Sequence, residues 1–220
     1  LPLDSDETIS AIVSIKDFDH EGFLFLTTRN GMVNRLSLSS FKKVRNSGLK
    51  AILLKEDDYL FNAIHTSGSD NILLTSSSGK SILFEETQIR ERSRGTQGVL
   101  GIKFNQQHKL ISSINVKNSQ LIFVTENGFG NKVSIDSYNT QNRGGQGVIS
   151  IKTSKRNGNV VGSVNVNDND FIILITNKGK TIKISASDMS TINRNTQGVR
   201  LQDMSDDEKI TTISSEHIDN

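Results

Sequence analysis

Three short phrases of the sequence place an arginine four residues before a glycine, an arrangement that suits the binding of phosphate groups. They are Arg94-Gly-Thr-Gln-Gly98, Arg143-Gly-Gly-Gln-Gly147 and Arg194-Asn-Thr-Gln-Gly198, and Arg45-Asn-Ser-Gly48 is one residue shorter. Arginine donates paired hydrogen bonds to phosphate oxygens, and glycine lets the backbone turn tightly and approach a ligand closely. The alternative is a structural role, in which these arginines cap loop carbonyls.

Other chemistry finds little support in the residues. The absence of cysteine excludes disulfides, thiolate zinc sites, iron–sulfur clusters and a cysteine nucleophile. The histidines have no ligand or carboxylate spacing around them, and they are His20, His65, His108 and His217. Asn127-Gly-Phe-Gly130 lacks the helix that follows a phosphate loop. We expect no catalytic residue, metal site or cofactor in this chain, and Tyr138 is expected to pack.

Two ladders of glycines show that the arginine phrases belong to a repeat of about 50 residues. Gly31, Gly79, Gly128 and Gly179 each follow a short run of β-branched and aromatic residues, and the phrases end at Gly48, Gly98, Gly147 and Gly198. The first ladder predicts hairpin turns. Four strands in each repeat are typical of a propeller blade. We predict one all-β domain over residues 1–220, with repeats at about 6–55, 56–104, 105–154 and 155–214.

The fourth strand of the repeat occurs in five copies, although there are four hairpins. Its first copy is Asp6–Ile12 and its last copy is Asp207–Ile213. The simplest interpretation is that the chain enters on the closing strand of an earlier unit. Leu1-Pro-Leu-Asp4 has neither an initiator methionine nor a signal pattern, which also favours an internal start. The alternative is that the two ends pair and close a four-unit ring.

Charge is segregated within the repeat, although the net charge is only +2. Residues 29–55, 78–104, 126–155 and 177–203 hold 21 basic and 7 acidic residues, a net charge of +14, and the rest of the chain has −12. A basic band repeated on every blade suits a polyanion that passes all of them. In the alternative interpretation, basic residues simply solvate the outer strands. The longest apolar runs have about five residues, whereas a membrane helix needs roughly 20, so no membrane span is expected.

The phrases, taken in order, resemble the C-terminal domain of the DNA gyrase A subunit. The resemblance rests on Asn127-Gly-Phe-Gly-Asn-Lys132, Arg143–Lys152, Arg156–Gly162 and Ile192–Val199 and extends along the chain from Leu1. It implies a β-pinwheel of four-stranded blades that exchange a strand, which would account for the fifth copy. It also implies that a basic perimeter bends duplex DNA and thereby supports ATP-dependent negative supercoiling.

The same resemblance implies partners and a location. The partners would be double-stranded DNA, the catalytic part of the gyrase A subunit, and the gyrase B subunit in an A2B2 assembly. The location would be the bacterial cytoplasm at the nucleoid. The implied DNA-binding residues are Arg35, Lys42, Lys43, Arg45, Lys50, Arg94, Lys103, Lys132, Arg143, Lys152, Lys183, Arg194 and Arg200.

The sequence departs from the family in two respects. The family usually has about six blades, and this chain resembles the later four. The gyrase A box, Gln-Arg-Arg-Gly-Gly-Lys-Gly, is matched at five of seven positions by a box-like turn in the third repeat, Gln141-Asn142-Arg143-Gly144-Gly145-Gln146-Gly147. The related domain of the topoisomerase IV A subunit, with fewer blades and more degenerate boxes, is therefore a near alternative.

Two other classes of function remain open. A propeller that serves as a protein-interaction scaffold would expose an aromatic or apolar patch on one face, and aromatic residues make up only 5% of the chain. An enzyme with its site in the central channel would need acidic, basic or metal-binding groups that converge at matching repeat positions.

Overall fold

The computed structural model describes residues 7–15, 18, 21–43 and 48–217, and its regular structure is almost entirely β-strand. The helical segments in those residues are single 3-10 turns at Leu38–Phe41, Glu86–Gln88, Ile135–Ser137 and Ala186–Asp188. No helix in this described part has the length and apolar character needed to span a membrane. The expected all-β class is confirmed.

Each repeat forms a hairpin and a closing strand that pairs with it. The first hairpin strands are rich in β-branched and aromatic residues, which fit a pleated sheet with both faces covered. The hairpins are Phe23–Thr28 with Met32–Ser37, Asn71–Ser76 with Lys80–Glu85, Gln120–Thr125 with Phe129–Ser134, and Phe171–Thr176 with Thr181–Ser185. The closing strands, antiparallel to the first hairpin strands, are Leu60–Thr66, Leu110–Asn115, Val160–Val166 and Ile210–Glu216. We call these units blades 1 to 4.

The outermost strand of a blade comes from the following repeat. These two-residue exchange strands are Val99–Leu100 on blade 1, Val148–Ile149 on blade 2 and Val199–Arg200 on blade 3. Blade 4 has three strands among the described residues. The exchange of strands between neighbours is thus present, but the exchanged element is the short run after each arginine phrase and not the fourth strand of the repeat.

The prediction that the first copy of the fourth strand opens the chain as a strand is wrong for the part that is described. Residues 7–15 form no strand, and Ile12 is 88% exposed. The other four copies pair with a hairpin strand that lies more than 30 residues earlier. Only five residues precede this copy, so the 220 residues of the sequence contain no earlier hairpin strand with which it could pair. In the first repeat, the residues at the position of the exchange strands are Ile52–Leu53. They form no part of a blade and pair in parallel with Thr96–Gln97.

The core lies between successive blades. Phe25 of blade 1 packs near Phe84 of blade 2, with ring centroids 6.4 Å apart. Alternate residues of one strand point to opposite faces of the sheet, so Leu73 contributes to the cluster shared with blade 3 while Ile72 contributes to the cluster shared with blade 1. A third cluster joins blades 3 and 4. Each middle blade is therefore buried on both faces.

Each exchange strand ends against a hairpin turn, and backbone hydrogen bonds there hold neighbouring repeats together. The amides of Ser150 and Ile151, at the end of an exchange strand, donate to the carbonyl of Gly79 in the hairpin turn of blade 2, at 2.8 and 3.2 Å. Gly79 has φ +79, and a Cβ there would lie 2.1 Å from the Ile151 carbonyl oxygen. Gly179 holds the same place in blade 4 with φ +77 but has no atom within 4 Å of such a Cβ. Gly79 is therefore needed for close approach as well as for its φ.

We expect Gly79→Ala to destabilise the protein more than Gly179→Ala. Both substitutions place an alanine at positive φ, which costs about 1–2 kcal/mol. Only Gly79→Ala drives a methyl group into backbone, which adds roughly 1–3 kcal/mol. Chemical denaturation of the two variants measures the difference in free energy of unfolding. Equal losses would show that the exchange strand does not cross the turn as described.

Candidate nucleic-acid interface

The arginines of the phrases hold the exchange strands in place. Arg143 donates from Nη1 to the Leu100 carbonyl at 3.0 Å and from Nε to the Gln88 carbonyl at 3.3 Å. Arg194 donates from Nη1 to the Ile149 carbonyl at 2.9 Å. Leu100 and Ile149 are the second residues of their exchange strands, so the two contacts are equivalent in successive repeats. The carbonyl-capping alternative is therefore the geometry that these two arginines adopt.

Aromatic rings lie beneath two of the phrase arginines. The Arg194 guanidinium lies 4.9 Å from the Tyr138 ring centre, and Arg94 lies 5.9 Å from the Phe41 ring centre. The Tyr138 hydroxyl donates to Ser150 Oγ at 2.7 Å, and Ser150 Oγ donates to Ser81 Oγ at 2.8 Å. Burial raises the pKa of Tyr138 well above its ordinary value. Tyr138 is thus a neutral core donor that supports the arginine from below.

The box-like turn at residues 141–147 lies against blade 2 and is fixed by its backbone. The Gln141 amide donates to the Leu83 carbonyl at 2.8 Å, and the Gly144 amide donates to the Gly101 carbonyl at 2.6 Å. The Arg143 amide donates to Gln88 Oε1 at 2.8 Å. Asn142, Gly145 and Gln146 remain exposed. The turn therefore presents backbone and amide groups outward, while its arginine faces the protein.

Eight of the candidate basic residues are exposed. They are Lys42, Lys43, Lys50, Arg94, Lys103, Lys152, Lys183 and Arg200. Lys183 forms an ion pair with Glu216, and Arg200 forms one with Asp203. Exposed pairs of this kind contribute little stability, so both cations can exchange their partner for another anion. Arg45 lies outside the described residues.

Arg35 and Lys132 occupy equivalent positions in the second hairpin strands of blades 1 and 3 but lie in different surroundings. Arg35 is half-buried, lies 4.4 Å from the Phe23 ring centre and donates to the Gly68 carbonyl at 3.2 Å. Lys132 is only 4% exposed, and its Nζ lies 2.9 Å from both Asp168 Oδ1 and the Ala186 carbonyl. Lys132 ties blade 3 to blade 4, and it does not belong to the interface proposed below.

The turn before the closing strand carries basic residues that are not among the DNA-binding residues named from the sequence. This turn is acidic in blade 1 at Asp57-Asp58 and in blade 4 at Asp207-Glu208, but it contains Lys109 in blade 2 and Lys155-Arg156 in blade 3. All three of these cations are exposed, and Arg156 lies 4.6 Å from the Phe129 ring centre. Alignment of this turn between the repeats could have found them.

The acidic turns serve the protein's own hydrogen bonds. Asp58 accepts from Thr28 Oγ1 at 2.6 Å and from the Asn30 amide at 3.0 Å, which fixes the hairpin turn of blade 1. The Lys178 ammonium donates to Asp207 and holds the pKa of that carboxyl below its usual range. No group of three or more His, Asp or Glu in the described part of the chain could hold a metal ion.

A cleft of about 800 Å³ at the centre, where the closing strands meet, is lined largely by serine, asparagine and isoleucine.

We expect Arg143→Ala and Arg194→Ala to destabilise the fold, because each leaves a strand carbonyl without its charged donor. Because water can reach both carbonyl groups, the expected loss is about 1 kcal/mol of unfolding free energy for each variant. Lys152→Ala removes the same charge from an exposed side chain and should stay within about 0.5 kcal/mol of the original protein. Unchanged denaturation midpoints for both arginine variants would contradict the structural role.

Sequence comparison matches the chain to the family described as "DNA gyrase C-terminal domain, beta-propeller". The matched segments are residues 22–67, 70–117, 119–167 and 170–215. The chain is 38% identical over 214 residues to the DNA gyrase A subunit of Salmonella typhimurium and 36% identical over 215 residues to that of Mycoplasma pneumoniae, covering 97% of this chain in both cases. It spans only 24% and 26% of those relatives, or about a quarter of their length.

Solved structures agree with this match. A DNA gyrase A C-terminal domain superposes with a TM-score of 0.87 at 27% identity, covering 98% of this chain and 72% of that structure. The C-terminal domain of a DNA topoisomerase IV superposes with a TM-score of 0.90 at 26% identity, covering 98% and 68%. The resemblance recognised in the sequence is confirmed, and the β-pinwheel architecture with it. The chain belongs to the DNA gyrase A C-terminal domain family.

Proposed function

We propose that this chain binds duplex DNA along its perimeter, bends it, and serves as the DNA-wrapping domain of a gyrase A subunit. The observation that carries the proposal is the charge of +14 in the four segments that run from each hairpin turn to just beyond the arginine phrase. These segments include the second hairpin strands and the exchange strands, which are the outer strands of the blades. The remaining residues have a charge of −12, which disfavours DNA elsewhere on the molecule.

The repeated blades give the bound DNA a curved path. Equivalent exposed cations recur on successive blades, as with Lys103 and Lys152, which follow their phrase glycines by five residues. Contacts to the phosphate backbone carry no base sequence, so binding should have little sequence preference. Bending a short duplex costs on the order of several kcal/mol, and contacts made only along the curve must offset that cost.

Within the larger enzyme, the domain would support ATP-dependent negative supercoiling in an A2B2 assembly with the gyrase B subunit, in the bacterial cytoplasm at the nucleoid. The catalytic residues would lie in other parts of the gyrase A subunit. The names of the curated relatives favour gyrase. The TM-score of 0.90 with a topoisomerase IV domain favours the equivalent domain of that enzyme as the second candidate. Supercoiling by the full enzyme that carries this domain would separate the two, because only gyrase introduces negative supercoils.

We expect the 220-residue chain to bind duplexes of unrelated sequence with similar affinity and strong salt dependence. If five to eight phosphates are neutralised, the logarithm of affinity should fall against the logarithm of salt concentration with a slope of roughly −4.5 to −7. Fluorescence anisotropy of labelled duplexes at several salt concentrations measures this slope. A flat salt response, or strong preference for one sequence, would contradict binding through the basic perimeter.

A further inference from the structure

We propose that a cleft on blade 2, beside the box-like turn, holds one backbone phosphate of the bound DNA between Lys80 and Lys103. The cleft has a volume of about 400 Å³, and His108, Gln146 and the hydroxyl-bearing Ser78 also line it. This inference rests on the proposed function, because it assigns a particular contact within the DNA-binding surface. The cleft would supply a phosphate contact that Arg143 and Arg194 do not, because those arginines donate to carbonyl groups of the protein.

Strand exchange places the box-like turn of the third repeat against two lysines of the second repeat. Lys80 begins the second hairpin strand of blade 2 and is half-buried, with Nζ 3.4 Å from Gln146 Oε1. Lys103 follows the exchange strand of the second repeat, and its amide donates to the Gly145 carbonyl at 2.8 Å. The exposed end of the box-like turn therefore joins the two lysines through one side-chain and one backbone contact.

The residues that line the cleft include two lysines and no aspartate or glutamate. Within the described residues, the salt bridges involve neither Lys80 nor Lys103. Two cations that share a cleft repel each other, and an anion between them would reverse the sign of that interaction. A phosphate oxygen could accept hydrogen bonds from both ammonium groups and from the Ser78 hydroxyl.

The other blades lack this combination of residues. Strand register places Met32 of blade 1 and Phe129 of blade 3 at the position of Lys80. Blade 4 has Lys180 at this position, but the fourth repeat has Asp203 at the position of Lys103. The turn hydrogen bonds place Asp58 and Glu208 at the position of His108. His108 Nδ1 instead lies 3.3 Å from Ser77 Oγ. At this position blade 2 has a histidine, which does not repel an anion. Blades 1 and 4 have a carboxylate there, which would repel one.

The ligand chemistry favours a phosphate that belongs to a polymer. Lys103, Asn105 and Gln146 are exposed, so the cleft does not close over its contents. A free anion would be held mainly by one exposed and one half-buried lysine. A DNA phosphate is kept in place by the other contacts along the perimeter, so two cations suffice to hold it. Inorganic phosphate is therefore the probe that distinguishes a site for a free anion from a DNA contact.

The test compares the double variant Lys80→Met/Lys103→Gln with the original chain and with Lys117→Gln. Methionine is the residue that blade 1 carries at the position of Lys80, and Lys117 lies at the other end of the closing strand of blade 2. One lost phosphate contact should make the salt slope shallower by about 0.9 and weaken binding about eightfold at 0.1 M salt. Lys117→Gln should leave the slope unchanged, and denaturation midpoints should show that both variants are folded.

Each outcome decides a separate claim. A slope change of about 1.8 would mean that the lysines neutralise two different phosphates, which overturns the shared cleft. Binding by the double variant that matches Lys117→Gln overturns the inference and leaves the proposed function intact. Failure of the original chain to bind any duplex overturns the proposed function itself. Replacing chloride by inorganic phosphate at constant ionic strength should preserve the difference between the double variant and the original chain, and loss of that difference would assign the cleft to a free anion.

Discussion

The crossing of each exchange strand over the hairpin of the preceding repeat is the interaction on which the rest of the structure depends. An exchange strand pairs through only two residues, too few to hold its place by ladder hydrogen bonds alone. Gly79 allows the close backbone crossing on blade 2, and the Arg194 guanidinium holds the Ile149 carbonyl on the same strand. Blade 4, to which no described strand is added, is also where Gly179 faces open space.

Because the exchange strands must be held in place, arginines and lysines have different roles in the repeats. Arginine presents a rigid planar fork of donors, whereas lysine is a flexible point charge. In the repeats, Arg143 and Arg194 use their donors on strand carbonyls, while Lys103 and Lys152 remain exposed on the same segments. The proposed DNA contacts therefore fall mainly to lysines, which the arginine-held strands carry to the perimeter at each blade.

The sequence predicts the repeated parts of the fold and misses what depends on distant partners. Alternating strands and turn glycines predicted the hairpins and four closing strands, because both signals are local. A two-residue exchange strand such as Val148–Ile149 is too short to show a period, so its partner blade could not be deduced. Lys132 resembled the other cations until Asp168, 36 residues away, proved to be its partner. The role of Arg143 remained open because an arginine can donate hydrogen bonds either to carbonyl groups or to phosphates.

The end-to-end distance of a bound duplex is the most direct measure of whether the DNA curves on this surface. A duplex of about 60 base pairs is nearly straight in solution, since the persistence length of DNA is about 150 base pairs. With fluorophores at its two ends, we predict that energy transfer rises as the 220-residue chain saturates it and returns to the free value when salt releases the protein. Saturated binding with an unchanged end-to-end distance would contradict a curved perimeter path.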